Sequence, residues 1–201
     1  MDWSWIAAVS GFALTMAGTP GPNNTVLTAS GARHGFRGTL PYLLGIALGV
    51  AMIFFVVAAA GSTLVSNPVA RAFLKWVGFG YVLWLAWRIG NAVPKPTAHA
   101  DTGKPLSLLQ GIGFQFVNPK LWTMMAAAVA TYGSRATSES AVMIGVAFGL
   151  IFGIATFAGC SAWAVLGAQI GRFIATERTM RLFNWIMAAL LIASVIPVMV
   201  E

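Results

Sequence analysis

Two short motifs combine proline with polar side chains inside runs that are otherwise apolar. The first is TPGPNN at residues 19–24, and the second is Asn118-Pro119-Lys120. Two prolines and a glycine within three residues remove two backbone donors and favour non-helical geometry, so the first motif predicts a broken helix. Asn followed by Pro is typical of a helix start, with Asn as the N-cap and Pro as the first helical residue. Both motifs therefore predict backbone groups that are open to a ligand.

The charge around these breaks favours an anion. A helix that starts at Asn118 points its free N–H groups and the positive end of its dipole at the break, and a helix that starts at residues 22–24 does the same. Lys120 adds a positive charge where a helix N-terminus already disfavours one. Two helix N-termini and a lysine predict a carboxylate site. The alternative for Lys120 is that its ammonium extends to an interface or to a water-filled vestibule.

Amide side chains near the breaks would bind a cation such as an ammonium group. Gln115 lies three residues before Asn118, so the two face the same side of a helix. The alternative is that these amides only cap the broken backbone. The predicted substrate-binding set is Pro20, Gly21, Pro22, Asn23, Asn24, Gln115, Asn118, Pro119 and Lys120.

The composition places these motifs in a membrane protein. Of 201 residues, 58% are hydrophobic and 8% are charged, whereas about 25% are charged in ordinary globular proteins. Too few charged side chains are present to cover a soluble fold, and the hydrophobicity excludes disorder. The net charge of +7 comes from Lys and Arg in short connections, and no basic patch with interleaved aromatic residues is present. This pattern indicates membrane insertion and contact with anionic headgroups rather than nucleic-acid binding.

Several catalytic classes lack the residues they need. Cys160 is the single cysteine, which excludes an intrachain disulfide, a paired-thiol oxidoreductase and a thiolate metal cluster. We interpret it as a small packing residue. The two histidines and five acidic residues are scattered at termini and in connections, so neither a metal site nor a membrane hydrolase is predicted. We expect no cofactor, no metal and no enzymatic activity.

The apolar runs predict six membrane spans, because about 20 residues of helix cross the hydrocarbon core. The predicted spans are roughly 4–30, 39–64, 72–93, 107–132, 140–168 and 182–200. Spans one and four contain the two breaks. The connection 94–105 carries three prolines and divides the chain into repeats of about 1–93 and 106–201, within one integral membrane domain covering residues 1–201.

The distribution of Lys and Arg predicts the orientation. The connections after spans one, three and five hold eight of these residues, and the opposite side holds three. Positive residues are enriched in cytoplasmic connections, so both termini are predicted to lie outside the cytoplasm.

The two halves resemble each other. Gly45 and Gly49 recur as Gly145 and Gly149, and Pro20 recurs as Pro119. Halves with an odd number of spans have opposite orientations, which predicts an inverted-topology repeat, and paired helix breaks in such repeats indicate a transporter's substrate site. The glycine pairs predict close internal helix packing, while a dimer contact or a sliding surface stays open.

TPGPNN in the first span, the Gly45/Gly49 pair in the second and GIGFQFVNPKLW at 111–122 in the fourth resemble the LysE-type amino-acid exporter family. The resemblance covers essentially the whole chain. It implies a multi-pass protein of the bacterial inner membrane that exports amino acids as a dimer. By this resemblance, the positions that matter are the first motif's residues 20–23 and the second motif's residues 118–120.

The resemblance also bears on the substrate. Exporters of basic amino acids in this family carry an acidic residue early in the second span, and LGIALGVAMI at 44–53 has none. A buried substrate cation without a carboxylate partner is costly. We therefore expect a neutral substrate such as homoserine, threonine, cysteine or leucine. The alternatives are basic amino acids, another small carboxylate, or a structural membrane subunit without transport activity.

Overall fold

The computed structural model describes residues 2–60, 68–91, 104–133, 141–174, 176–194 and 196, which form helices joined by short non-helical segments and contain no strand. The predicted connections at 94–105 and 133–139 lie mostly outside these residues, whereas most of the predicted connection 66–71 lies in the helix that begins at Pro68. The helices are α1 (Trp3–Gly18), α2 (Pro22–Ala60), α3 (Pro68–Gly90), α4 (Leu108–Val117), α5 (Pro119–Ala128), α6 (Ala141–Phe173) and α7 (Glu177–Ala193), with a π turn at Val129–Gly133.

By length and composition, two helical segments of the described residues could cross a bilayer, namely Pro22–Ala59, which contains a turn at Gly35, and Ala141–Phe173, while α1 and α4 are shorter apolar helices. Large apolar side chains also face outward. On α3, Trp87 is 64% exposed, and on α6 Ile154 is 68% exposed. Exposed apolar side chains of this size are unfavourable in water and favourable in lipid, so they fit a membrane protein.

Both predicted helix breaks are present. The chain leaves helical geometry between Gly18 and Pro22, and again at Asn118, which separates α4 from α5. Asn118 has an extended backbone, with φ −81° and ψ 106°, and its side chain caps the start of α5. The local chemistry of proline and the Asn N-cap is sufficient for this outcome.

The polar segment 31–38, predicted as a connection, is a one-residue turn inside α2. Gly35 has φ 67° and ψ 175°, a conformation that is essentially restricted to glycine. The hydroxyls of Ser30 and Thr39 are 2.9 Å apart, whereas nine residues of straight helix span about 13.5 Å. The chain therefore reverses direction at Gly35, and α2 consists of a first half before Gly35 and a second half after it.

Helix α6 packs against both halves of α2. Gly167 and Gly171 lie against Thr28 and Ala32, so the first half runs parallel to α6. Toward the start of α6, the second half of α2 runs antiparallel to α6, because Gly145 lies against Phe55 and Gly149 lies against Ala51. On the other side of the second half, Gly45 lies against Leu108 and Gly111, and Gly49 lies against Ile112 and Gln115. All four glycines of the predicted pairs thus lie at helix–helix contacts within the chain.

An aromatic cluster fills the core between α2 and α6. Phe54 and Phe152 stack with ring centroids 3.8 Å apart, and Trp5 meets Phe148 edge-on at 5.5 Å. All four side chains are buried. This cluster packs α1 against α2 and α6. The first break lies between α1 and α2.

The connection between α6 and α7 is shorter than the predicted connection 169–181. Helix α6 continues to Phe173, five residues beyond the predicted end of span five, and α7 begins at Glu177, five residues before the predicted start of span six. The reason at α7 is a local cap, since the Thr176 hydroxyl accepts a hydrogen bond from the Thr179 N–H at 3.2 Å. Hydrophobicity alone misses such a polar first turn.

Candidate functional site at the two helix breaks

The two breaks lie next to each other, and Lys120 joins them. From the start of α5, its Nζ donates hydrogen bonds to the Thr19 carbonyl and hydroxyl, both at 2.8 Å, and to the Pro20 carbonyl at 3.3 Å. These oxygens belong to the C-terminal end of α1 and the residue after it. The lysine thus crosses from the positive end of one helix to the negative end of another, which a cation favours.

The other carbonyls at the end of α1 also have side-chain donors. Asn24 Nδ2 donates to the carbonyls of Ala17 at 2.9 Å and Thr19 at 2.7 Å, and Trp163 Nε1 donates to Gly18 at 3.1 Å. Helix ends leave carbonyls unpaired, and at membrane depth these need partners. The carbonyl oxygens at the end of α1 therefore accept hydrogen bonds from three side chains, those of Lys120, Asn24 and Trp163.

A pair of amides connects the start of α2 to the end of α4. Asn23 Nδ2 donates to Gln115 Oε1 at 3.0 Å, and Gln115 Nε2 donates back to Asn23 Oδ1 at 3.1 Å. Gln115 is fully buried and also donates to the Gly111 carbonyl at 3.1 Å. This reciprocal pair holds the two predicted halves of the chain in register at the breaks.

Asn118 has a structural role at the second break. Its Oδ1 accepts a hydrogen bond from the Lys120 N–H at 3.2 Å, and its Nδ2 donates to Gln115 Oε1 at 3.4 Å. Pro119 follows as the first residue of α5 and is buried, as is Pro22 at the start of α2. The cap and the prolines set the geometry from which Lys120 reaches the first break.

Gly21 makes room for the lysine side chain. A Cβ at this position would lie 2.7 Å from Lys120 Cδ and 3.0 Å from Lys120 Nζ. These separations are shorter than van der Waals contact, so any other residue at position 21 requires Lys120 to move.

A cavity of about 40 Å³ lies where the breaks meet. Its polar lining comes from Gly21, Asn23, Asn24, Asn118, Lys120, Thr156 and Cys160, and its apolar lining from Met16, Ala17, Val50, Leu121 and Met124. A volume of this size holds a few water molecules and is smaller than an amino acid.

Sequence reasoning missed three polar residues of this site. The Thr19 hydroxyl accepts a hydrogen bond from Lys120, and Trp163 donates one to the Gly18 carbonyl at the end of α1. Thr156 lines the cavity. Thr156 lies one helical turn before Cys160, whose thiol donates to Asn24 Oδ1 at 3.2 Å. A polar pair spaced four residues apart in an apolar span was the available signal. Of the predicted set, Pro20 contributes only its carbonyl, and Gln115 contacts Asn23 without lining the cavity.

No cluster of three His, Cys, Asp or Glu side chains lies in the part of the chain that the structure describes. The site is instead built from amides, hydroxyls, backbone carbonyls and one ammonium group. Together with the apolar helices, it defines a helical membrane protein whose polar centre lies at two interrupted helices.

Comparison with known proteins identifies the family. Residues 14–200 match the model of the LysE type translocator. A cysteine/O-acetylserine efflux protein of Klebsiella pneumoniae is 32% identical over 197 residues, covering 98% of this chain and 97% of that protein. Proteins of the same name from Escherichia coli O139:H28 and K12 are 33% and 32% identical over 182 residues, or 90% of both chains. The chain belongs to the LysE type translocator family. No solved structure matches it significantly.

Proposed function

We propose that this protein is a secondary transporter of the bacterial inner membrane that exports a small neutral amino acid through the site at the two helix breaks. The observation that carries this proposal is the position of the Lys120 ammonium, which lies 2.8 Å from both the carbonyl and the hydroxyl of Thr19. The site therefore already holds a primary ammonium group among the carbonyls at the end of α1.

An amino acid carries the two charges that this arrangement accommodates. Its α-ammonium has the hydrogen-bonding requirements of the Lys120 ammonium and suits the carbonyl cluster at Ala17–Pro20. Its α-carboxylate suits Lys120 itself and the positive dipole ends at the starts of α2 and α5. When the substrate's ammonium replaces that of Lys120 at the carbonyls, the lysine becomes available for the carboxylate.

The small cavity supports a mechanism in which the site opens before the substrate binds. A cavity of about 40 Å³ is smaller than an amino acid, so binding of the proposed substrate requires Lys120 or the surrounding helices to move. Lys120 joins the start of α5 to the C-terminal end of α1. When the substrate replaces the contacts of Lys120, this connection between the two helices is lost, so substrate binding is linked to opening of the site. Alternating exposure of the site then carries the substrate across.

Two observations support a neutral substrate. The cavity lining contains no carboxylate among the described residues, so the side chain of lysine or arginine would lack a partner. The lining away from Lys120 consists of Thr156, Cys160 and apolar side chains, which suit a small polar or aliphatic group. The related efflux proteins are named for cysteine and O-acetylserine, which are both small and carry no net side-chain charge.

We further propose six spans in two inverted repeats, with both termini outside the cytoplasm and two copies associating as a homodimer. The reversal at Gly35 supports a boundary between spans one and two within α2, and the Asn23–Gln115 pair supports breaks at matching positions of the repeats. The excess of Lys and Arg on one side supports the orientation.

Efflux from preloaded cells tests this function. Cells loaded with labelled cysteine, O-acetylserine, threonine, leucine and lysine should release one or more neutral amino acids when the protein is present. Lys120→Met should lower this release by roughly tenfold or more, since a charge-assisted hydrogen bond contributes about 1.5–3 kcal/mol. Thr123→Ala is the matched control, because Thr123 is exposed on the same helix one turn away.

The outcomes separate the alternatives. Selective release of lysine would contradict the neutral substrate and leave the site in place. If a correctly inserted protein released none of the labelled amino acids, amino-acid export would be wrong, and another carboxylate or a structural role would follow.

A further inference from the structure

A second cavity, of about 150 Å³, lies between the first half of α2, α3, α7 and the residues that precede α4. It shares no lining residue with the cavity at the helix breaks. Four basic side chains line it: Arg33 and His34 from α2, Arg88 from α3, and Lys104 before α4. Within the described ranges the acidic residues are Asp2 and Glu177, and neither lines this cavity.

The interior of this cavity is polar at one point and apolar at others. Ser30 and Asn184 are buried at 8% and 7% exposure and supply a hydroxyl and an amide. Val26, Leu85 and Ile89 form apolar walls. Such a lining suits a ligand with an anionic group and an adjoining apolar part, since the cations bind the first and the walls bind the second.

Arg88 places the cavity beside the lipid-facing surface. It lines the cavity, and its guanidinium lies over the ring of Trp84, 5.0 Å from the centroid. Trp84 and Trp87 on the same helix are exposed, at 43% and 64%. Exposed tryptophans beside a cation are typical of the level of lipid headgroups.

We propose that this cavity binds the phosphate of an anionic phospholipid headgroup. Arg33, Arg88 and Lys104 neutralise the phosphate, and the apolar walls accept the start of the lipid's glycerol and acyl region. Basic pockets between membrane helices bind anionic headgroups by this chemistry. A soluble anion would use the cations but gain nothing from the apolar walls.

The proposal rests on the fold and not on the transported substrate, so its test is a binding measurement. The full-length protein is purified in a neutral detergent and titrated with mixed micelles that contain either phosphatidylglycerol or phosphatidylcholine. Bound lipid is counted by native mass spectrometry, and inorganic phosphate serves as the soluble competitor. We expect saturable binding of phosphatidylglycerol, weaker binding of phosphatidylcholine, and no displacement by millimolar phosphate.

Variants at matched positions locate the site. Arg33→Gln with Arg88→Gln should weaken phosphatidylglycerol binding on the order of tenfold, because each cation near an anionic headgroup contributes separately. Arg37→Gln with Arg172→Gln is the control. It makes the same change of net charge in the neighbouring groove, which His34 also lines, and should change binding less than twofold.

Three results would overturn the proposal. Equal losses in the two double variants would mean that diffuse positive charge attracts the lipid. Equal binding of the two lipids would remove the role of the anionic headgroup, and displacement by phosphate would assign the cavity to a soluble anion. If the Arg33/Arg88 variant fails to fold, the exposed single changes Arg88→Gln and Lys104→Gln replace it, each with a smaller expected loss.

Discussion

Lys120 shows how one charged side chain is accommodated in an apolar protein. Its ammonium has oxygen acceptors from Thr19 and Pro20, all within 3.3 Å, and its stem passes over Gly21. A lysine at membrane depth is costly unless oxygens replace its hydration. In the proposed mechanism, the ammonium group of the substrate replaces that of Lys120 at these acceptors.

Gly21→Ala tests this single-residue contact. The new Cβ would displace the end of the Lys120 side chain, which can move, so the protein should still fold and insert. Efflux should fall about tenfold, because the lysine loses part of its hydrogen bonding at the end of α1. The readout is efflux of the transported amino acid, normalised to the amount of protein in the membrane.

Gly18→Ala provides the control for Gly21→Ala. It lies in the same break, and a Cβ there meets nothing within 4 Å. If both alanine variants transported equally well, the position of Lys120 over Gly21 would have no role in transport.

At the next level, glycines set the distance between helices. The second half of α2 and helix α4 approach each other at Gly45 and Gly111, where a Cβ on Gly111 would meet the Tyr42 carbonyl and would lie 2.9 Å from Ile46 N. These are backbone atoms, which cannot turn aside as a side chain can. Gln115, which pairs with Asn23, lies against Gly49 of the second half of α2, so this helix packing also positions a residue of the site.

Gly111→Ala should lower the free energy of unfolding by about 1–3 kcal/mol, as is typical of overpacking in a tight contact. Gly113→Ala, two residues further along α4, should be neutral or stabilising by about 0.5–1 kcal/mol, since its Cβ meets nothing within 4 Å and alanine favours a helix. Unfolding of the purified variants in denaturant measures both values. A loss of equal size in both variants would mean that helix propensity, and not contact with α2, controls this segment.

For the whole molecule, the distribution of charge bears on orientation. In the described residues, Arg33, Arg37, Arg88, Lys104 and Arg172 line the two basic cavities around the first half of α2. Positive charge on one side of a membrane protein keeps that side in the cytoplasm and attracts anionic lipids there. Orientation and the proposed headgroup site are therefore consistent with each other.

Reporter fusions test the orientation. Alkaline phosphatase joined after Glu201 should be active, because the C-terminus is predicted to lie outside the cytoplasm. Green fluorescent protein joined after Lys104, in the connection that follows the third predicted span, should be fluorescent. The reverse pattern at both positions would show that the excess of Lys and Arg does not set the orientation of this protein.

Much of the local structure follows from nearby residues alone. Low charge and long apolar runs predict membrane helices, and the prolines at 20, 22 and 119 predict the breaks, because proline lacks the N–H that a continuing helix needs. The Asn118 cap likewise depends on a neighbour two residues away. The ends of α6 and α7 were less predictable, since a polar cap such as Thr176 has little effect on average hydrophobicity.

The partners of the site residues could not be predicted in the same way. Lys120 and Thr19 are 101 residues apart, Asn23 and Gln115 are 92 apart, and Cys160 and Asn24 are 136 apart. Helical periodicity fixes which side chains share a face, but it does not fix which helices meet or at what height. Those choices depend on the close approach of α2 to α4 and α6 at glycine contacts, and they direct Lys120 to the carbonyls of α1.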